Sequence, residues 1–320
     1  MSEFAAGPAG RIERVRALMA ERGYDAIVVR DEANLRWLTG VKGVFDYTFE
    51  FPHAAFITAD QCLFHTDSRY LNSFEENTSA GSPWVYDMDE GTIPGWVAGK
   101  IAANKCRVCA IEDDMQINFY QGIQRGLEDC SVACMLPLMH DDIRKMRAIK
   151  DAEEIELMRH AQSITDAAFQ HMLGYIKPGM TEKQVRNELE NFMFANGADS
   201  LAFGSIVASG PNTANPHAVP SDRVIEKGDF VLMDYGAGYC DYRSDMTRTV
   251  VMGEPTQEQL DLYALVRRAH EECVAAIHPG VEGNDIFKLS KKIIGDAGYG
   301  DYYNHGLGHG VGIDIHELPN

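Results

Sequence analysis

The sequence has no long hydrophobic run and comparatively few basic residues. No stretch approaches the roughly 18 apolar residues of a transmembrane helix, although 45% of the 320 residues are hydrophobic, as in an ordinary globular protein. Lys and Arg together number 29 against 48 Asp and Glu, so the formal net charge is −19. Such an acidic chain repels nucleic acid and anionic membranes, and we expect neither as a partner.

The sequence also lacks the signs of a secreted protein. Its first ten residues, MSEFAAGPAG, have neither the charged nor the apolar segment of a signal peptide, and its seven cysteines are an odd number. We therefore expect free thiols and a cytoplasmic protein. Cys106 and Cys109 could form a zinc ribbon with Cys130 and Cys134. The first two lie on a predicted strand that would splay them, which makes a zinc ribbon the weaker interpretation.

Alternating helical and extended patterns predict an α/β domain at residues 1–140. Amphipathic spacing favours helices at 11–23, 68–76, 91–104 and 115–127, and short apolar runs favour strands at 26–29, 54–58, 62–66, 108–111 and 132–136. A charged stretch then leads to a long predicted helix at 151–176. This change in pattern places the domain boundary between residues 140 and 141, and it leaves 141–320 for a second domain.

The second domain contains an internal repeat with an offset of 101 residues. The Ile-Lys-Pro-Gly segment at 176–179 recurs as Ile-His-Pro-Gly at 277–280, and Gly197 matches Gly298. The helical patterns between these matches are also alike, which favours duplication over coincidence. Two such units predict a pseudo-symmetric antiparallel sheet with helices on its outside and a cleft at the pseudo-two-fold axis.

Two aspartates stand in unusual positions on a predicted β-hairpin at residues 230–252. Asp234 follows an apolar run and Asp245 opens the next strand, with a glycine-rich turn region between them. Aspartate is depleted in strands, and it is rarely buried unless it is paired or bound to metal. The two carboxylates could be solvated strand ends. Because they can face each other across the hairpin, they also fit a shared cation site.

Three histidines lie in a glycine-rich segment near the end of the sequence. Imidazole is the commonest metal ligand, and it titrates near neutral pH. If 311–317 is a strand, His309 and His316 point to opposite faces unless the glycines allow a bulge. These two histidines beside the paired aspartates favour a functional site, whereas His305 alone favours a structural role. A turn-rich loop upstream delivers His217, which could equally be an exposed loop residue.

Together these motifs resemble the pita-bread metallopeptidases of the Xaa-Pro aminopeptidase and prolidase group. The specific matches are Asp234-Tyr235-Gly236-Ala237, Ser244-Asp245-Met246-Thr247-Arg248-Thr249, Gly308-His309-Gly310-Val311-Gly312 and His316-Glu317-Leu318-Pro319, with weaker ones over much of the remaining chain. The resemblance implies a creatinase-like N-terminal domain, a pita-bread C-terminal domain and hydrolysis of the peptide bond that precedes proline. It leaves open whether the substrates are dipeptides or longer peptides.

The resemblance also implies a metal centre. Asp234, Asp245 and His309 correspond to ligands of two divalent metal ions in that family. Such an oxygen-rich set favours Mn²⁺, with Co²⁺ or Zn²⁺ as alternatives. We expect a proline-containing peptide as the substrate and a second copy of the chain as the partner in a homodimer.

The same resemblance implies roles for four further residues. His217 and His316 correspond to catalytic imidazoles near the substrate carbonyl. His305 corresponds to a neighbour of the proline-side pocket. Arg248 could hold a substrate carboxylate, or it could pair with a structural acid within its strand.

The sequence departs from the family pattern at its end. The family needs two further glutamate ligands after the His-Glu-x-Pro motif, and this sequence stops at Asn320, one residue beyond that motif. We therefore expect a pita-bread domain that is truncated at its C-terminus. A pita-bread protein that binds peptides or partners without catalysis is one alternative. A creatinase-like hydrolase without metal is another, but Asp234, Asp245 and His309 together argue against it.

Overall fold

The computed structural model of the chain describes residues 7–44, 51–88 and 91–319. These residues fall into two units, which divide between Ile155 and Glu156. The boundary expected between residues 140 and 141 stays a prediction. Within the described ranges, no helix is both long enough and apolar enough to cross a membrane.

The first unit contains a five-stranded mixed sheet. Its strands are β1 (Ala26–Val29), β2 (Ala54–Thr58), β3 (Cys62–His65), β4 (Trp84–Asp87) and β5 (Cys109–Ile111). They lie side by side in the order β4-β3-β2-β1-β5. Strand β2 is antiparallel to β1 and β3, whereas β1 with β5 and β3 with β4 are parallel pairs. The sequence predicted all of these strands except β4.

Four helices of the first unit agree with the predicted amphipathic segments, whereas the short helices at 32–39 and 142–147 were not predicted. In chain order the helices are α1 (Gly7–Arg22), α2 (Glu32–Thr39), α3 (Leu71–Asn77), α4 (Ile93–Ala103), α5 (Ile117–Asp129) and α6 (Asp142–Arg147). The apolar core forms where α4 and α5 pack on the sheet, with Phe56 of β2, Ile101 of α4 and Ile123 of α5 fully buried. This burial is the main source of stability for the unit.

The strand predicted at 132–136 is wrong. The segment makes only isolated parallel bridges to the edge of β5, at Met135 with Val108 and at Leu138 with Ile111. Pro137 lies between the two bridging residues, and because proline has no backbone N–H it cannot donate to a continuous ladder. The segment is therefore extended but does not form a sixth strand.

The cysteines are all free thiols, as expected. Burial raises the pKa of Cys106 to about 11 and raises that of the fully buried Cys109 as well. These thiols remain protonated at neutral pH, and only the thiolate is a good metal ligand. Since Cys130 is exposed to solvent while the other two are buried, the structure offers no support for a zinc ribbon.

The second unit begins within a long helix, α7 (Ala152–Tyr175), and alternates helices with short strands. Its further helices are α8 (Glu182–Ala195), α9 (Gln257–Ala276) and α10 (Gly283–Asp296), and its strands are β6 (Ser200–Leu201), β7 (Ile206–Ser209), β8 (Phe230–Tyr235), β9 (Ala237–Tyr239), β10 (Tyr242–Arg243) and β11 (Met246–Val251). The strands form two antiparallel sheets, ordered β11-β8-β7 and β10-β9-β6.

The helical part of the predicted repeat is confirmed. Helices α8 and α10 each have 14 residues and begin 101 positions apart. The glycines of the two Pro-Gly turns, Gly179 and Gly280, have φ angles of 95° and 88°. Gly197 and Gly298, which follow the two helices, have φ angles of 100° and 87°. The duplicated glycines therefore mark two copies of one helix-turn-helix arrangement.

Strand β8 has one face in the core of this unit and the other face turned away from that core. Val231, Met233 and Tyr235 are fully buried and belong to the core that includes residues of α7 and α8. The alternate residues Leu232 and Asp234 are only partly buried. Because successive side chains of a strand point to opposite faces, Asp234 lies on the face turned away from the helices.

Candidate active site

The predicted β-hairpin forms, and it brings the two aspartates to one face. Strands β8 and β11 pair antiparallel with Asp234 opposite Thr247. Asp245 stands two residues before Thr247, and residues two apart on an extended chain share a face. We call residues 230–251, with both strands and their connection, the aspartate hairpin.

A glycine and a buried hydroxyl pair set the connection beside Asp245. A Cβ atom on Gly236 would lie 1.9 Å from the carbonyl oxygen of Ser244, so only glycine permits this approach. The hydroxyls of Thr165 and Ser244 are 2.7 Å apart. Both accept hydrogen bonds from the backbone N–H of Ala237, at 3.0 and 2.9 Å. These contacts fix Ser244, and with it the start of the strand that carries Asp245.

The histidine segment is a tight turn and not the strand considered for 311–317. Gly310 and Glu317 exchange backbone hydrogen bonds of 2.9 Å in each direction. A Cβ atom on Gly310 would lie 2.4 Å from the carbonyl oxygen of Leu318, so the close approach of the chain requires glycine. We call residues 309–317 the histidine turn. Its closure brings His309 and His316 to the same place, as the glycine bulge was expected to do.

The histidine turn meets the aspartate hairpin where an imidazole contacts a carboxylate. The Nε2 atom of His309 lies 3.5 Å from Oδ2 of Asp245, and the rings of His309 and His316 are 4.2 Å apart, edge to face. Burial raises the pKa of Asp245, and the neighbouring carboxylate of Asp234 raises it further. The two imidazoles oppose that rise. Two carboxylates and two imidazoles therefore influence one another within one cluster.

Three other candidate residues lie outside this cluster in the contacts that the described residues make. His217 is exposed on the loop after the short 3-10 helix Gly210–Ala214. His305 is also exposed, and its ring packs against Tyr303. Arg248 lies opposite Met233, on the core side of the hairpin, with its guanidinium 6.0 Å from the ring centre of Phe169.

Sequence reasoning missed the residues that support the cluster. Ser244 stands next to Asp245 in the motif, and its position beside a candidate ligand was the available signal. Thr165 and Arg243 gave no such signal, because their contacts reach residues 79 and 70 positions away. Long-range contacts of this kind leave no periodic pattern in a single sequence.

The residues of the cluster fit a divalent metal ion. The Oδ1 atom of Asp234 is buried and has no hydrogen-bond partner among the described residues, and a buried carboxylate oxygen needs a donor or a cation. Carboxylate oxygens with an imidazole suit ions such as Mn²⁺. No three His, Cys, Asp or Glu side chains in the described ranges already surround one ion position. The assignment of a divalent ion to this cluster therefore rests on the chemistry of the donor atoms and on Oδ1 of Asp234, which has no hydrogen-bond partner among the described residues.

Comparisons with known proteins cover almost the whole chain. Residues 156–320 match the model of metallopeptidase family M24, and residues 11–149 match that of the creatinase/prolidase N-terminal domain. An uncharacterized peptidase of Bacillus subtilis is 34% identical over 316 residues, which span 97% of this chain and 84% of that protein.

Solved structures show the same correspondence. The Xaa-Pro dipeptidase from Bacillus anthracis superposes with a TM-score of 0.87 at 34% identity, over 98% of this chain and 84% of that one. The X-Pro aminopeptidase from Thermotoga maritima gives a TM-score of 0.83 at 30% identity, over 97% and 84% of the two chains. Both matches include the two units described above, so the expected creatinase-like and pita-bread fold is confirmed.

Proposed function

The chain belongs to metallopeptidase family M24, and from that membership we propose that it hydrolyses the peptide bond preceding proline. The observation that carries this proposal is the cluster of Asp234, Asp245, His309 and His316, with a buried carboxylate oxygen that lacks a partner among the described residues. Support also comes from the Xaa-Pro dipeptidase and X-Pro aminopeptidase that share its fold. The proposed substrates are proline-containing dipeptides or longer peptides.

Asp234, Asp245 and His309 are the proposed protein ligands of two divalent metal ions, with Mn²⁺ as the proposed metal. Bound divalent ions polarise a carbonyl group and lower the pKa of a coordinated water molecule to near neutrality. The two carboxylates supply the negative charge that such cations require, and the ionised form of each is the ligand. His309, paired with Asp245, would coordinate as a neutral imidazole.

His316 and His217 are the proposed catalytic imidazoles. His316 lies beside His309, where its N–H can donate to the substrate carbonyl oxygen as negative charge develops on it. His217 lies on an exposed loop, from which it would assist proton transfer to the leaving nitrogen of proline. The leaving nitrogen departs as an amine, so it must gain a proton from the enzyme or from water. A proline amide also has no N–H that the enzyme could use to orient the substrate.

The substrate-binding roles of His305 and Arg248 belong to the same proposal. His305 would flank the proline side of the scissile bond, where the exposed part of its imidazole would pack on a pyrrolidine ring. Arg248 would hold the substrate carboxylate. Its guanidinium packs near Phe169 on the core side of the hairpin, the face opposite Asp234, so this role requires the guanidinium to reach around β11, the outer strand of its sheet.

Hydrolysis assays on the full-length protein test the proposal. We expect cleavage of an Xaa-Pro dipeptide or of a longer peptide with proline in second position when MnCl₂ is supplied, and loss of cleavage with a chelator. Comparing the two substrates distinguishes a dipeptidase from an aminopeptidase. Asp245→Asn should abolish activity, whereas Asp261→Asn on the exposed face of α9 should not. Peptide binding without any cleavage would favour the non-catalytic alternative and contradict the proposal.

We also propose a homodimer and a cytoplasmic location. Seven free thiols are typical of a reducing compartment. Leu260, Tyr263 and Val266 are about half exposed on α9, and such apolar surface favours association with a second copy. Light scattering should give twice the mass of a single chain, and a monomer at micromolar concentration would contradict the dimer.

A further inference from the structure

Arg243 contacts both parts of the candidate site. It lies in β10, within the aspartate hairpin and two residues before Asp245. Its backbone N–H donates to the carbonyl oxygen of Gly312 at 2.8 Å, and its Nε donates to that of Ile313 at 3.3 Å. Both acceptors belong to the histidine turn. One residue of the hairpin is therefore hydrogen-bonded to two consecutive carbonyl groups of the segment that carries His309 and His316.

The same side chain is held from the opposite direction by β6. Nη1 of Arg243 donates to the carbonyl oxygen of Leu201 at 2.7 Å and to Oγ of Ser200 at 3.1 Å. A Cβ atom on Gly238 would lie 2.2 Å from Oγ of Ser200 and 3.2 Å from Nη1 of Arg243, so glycine leaves the space that the guanidinium occupies. The guanidinium is thus fixed between β6 and the histidine turn.

Arginine is the side chain that this arrangement requires. Its planar guanidinium presents donors in fixed directions, which lets Nε reach the histidine turn while Nη1 reaches β6. A lysine has a single ammonium group at the end of a flexible stem and cannot occupy both positions at once. The hydrogen bonds to the carbonyl oxygens of Leu201 and Ile313 are also strengthened, because a charged donor forms stronger hydrogen bonds than a neutral one.

We infer that Arg243 is a positioning residue that holds the histidine turn against the aspartate hairpin, so that His309 meets Asp245. It is not one of the proposed metal ligands, and it acts through the orientation of the imidazole. Two measurements test the inference. The first, Mn²⁺ affinity, rests on the proposed metal centre, whereas the second, hydrogen exchange of the histidine turn, does not. Residues that orient metal ligands commonly change metal affinity about 10- to 100-fold when they are mutated.

The test compares Arg243→Met and Arg243→Lys with wild-type full-length protein. Arg268→Met is the control, because Arg268 pairs with Glu272 on the exposed surface of α9, away from the face of Leu260 and Tyr263. Calorimetric titration with MnCl₂ should give an affinity about 10- to 100-fold lower for Arg243→Met, an intermediate value for Arg243→Lys and no change for the control. Hydrogen exchange at residues 310–317 should accelerate in the same order. With dipeptide substrate, kcat should fall at limiting Mn²⁺ and recover at saturating Mn²⁺.

Unchanged Mn²⁺ affinity and unchanged exchange at 310–317 in folded Arg243→Met would overturn the inference. If that variant does not fold, Arg243→Lys and Ser200→Ala, which removes one partner of Nη1, decide it by the same two measurements. A wild-type protein that binds Mn²⁺ but cleaves no proline peptide would refute the proposed function. The affinity and exchange results would still decide the role of Arg243.

Discussion

At the scale of single residues, two aspartates of the candidate site lower the stability of the folded state. Asp234 has a buried oxygen without a hydrogen-bond partner among the described residues. Burial and the nearby Asp234 raise the pKa of Asp245 from its ordinary value. Since ionisation is then less favourable in the folded state than in the unfolded state, the charged carboxylate lowers stability at neutral pH. Such a cost is expected where residues serve a ligand and not the fold.

Asp245→Asn should therefore separate stability from function. The substitution removes the like-charge repulsion with Asp234, and we expect the free energy of unfolding, measured in chelator, to rise by about 1 kcal/mol. Mn²⁺ binding should be lost in the same variant because a ligand is gone. Chemical denaturation with and without MnCl₂ measures both effects. A metal-free variant less stable than wild type would show that Asp245 supports the fold.

Gly236→Ala should disrupt the connection of the aspartate hairpin. The added Cβ would lie 1.9 Å from the carbonyl oxygen of Ser244, and the backbone must shift to relieve this overlap. We expect a loss of about 1–3 kcal/mol in stability and weaker Mn²⁺ binding. Gly174→Ala is the matched control, because a Cβ atom added to Gly174 in α7 would meet nothing within 4 Å. There alanine should stabilise by up to about 1 kcal/mol. Equal effects at both sites would contradict the close approach at Gly236.

At the scale of elements, one carboxylate at the start of α8 fixes the loop that carries His217. Glu182 is fully buried. One of its oxygens accepts from the N–H and the hydroxyl of Ser209 and from the side chain of Asn212. The other accepts from the N–H and the hydroxyl of Ser221. Both ends of the loop at 209–221 are therefore hydrogen-bonded to a single side chain.

The pH dependence of stability should report this carboxylate. Burial raises the pKa of Glu182, but the hydrogen bonds from Ser221, Asn212 and Ser209 outweigh burial and leave the pKa below its ordinary value. Its stabilising effect is therefore complete above the unfolded glutamate pKa of about 4.3 and is lost as the pH falls through the lower, folded value. At pH 7 we expect Glu182→Gln to lose about 1–3 kcal/mol.

Glu258→Gln is the matched control for that prediction. Glu258 also lies in the first turn of a helix, after the N-cap Thr256 of α9, and it is exposed. Any general effect of a negative charge at a helix N-terminus appears in both variants, whereas the loop contacts are lost only in Glu182→Gln. Urea denaturation at pH 7 and at a series of lower values down to about pH 3, below the unfolded glutamate pKa, measures the difference in free energy of unfolding. If the free energies of unfolding of the two variants differ as much at low pH as at pH 7, the role of the ionised carboxylate is contradicted.

At the scale of the whole molecule, the sequence predicted what local patterns encode. The long amphipathic period of α7, the repeated Pro-Gly turns and the hairpin of β8 and β11 were all recovered. Asp234, Asp245, His309 and His316 also meet as expected. The turn at 309–317 was ambiguous because glycine tolerates many backbone conformations. The contacts of Arg243 and Glu182 depend on how distant segments pack, and no period or spacing in one sequence reports them.

The net charge of −19 gives the whole molecule two distinguishable responses to cations. Added NaCl should raise the melting temperature modestly, because screening reduces self-repulsion and the exposed ion pairs that salt weakens contribute little. MnCl₂ at the same ionic strength should raise it further in the full-length protein, since an ion that binds only the folded state at about 100 times its Kd adds about 2.7 kcal/mol. Asp245→Asn should retain the response to NaCl and lose the excess response to MnCl₂. If the two salts stabilise wild type equally at matched ionic strength, screening accounts for the whole effect and the metal centre is refuted.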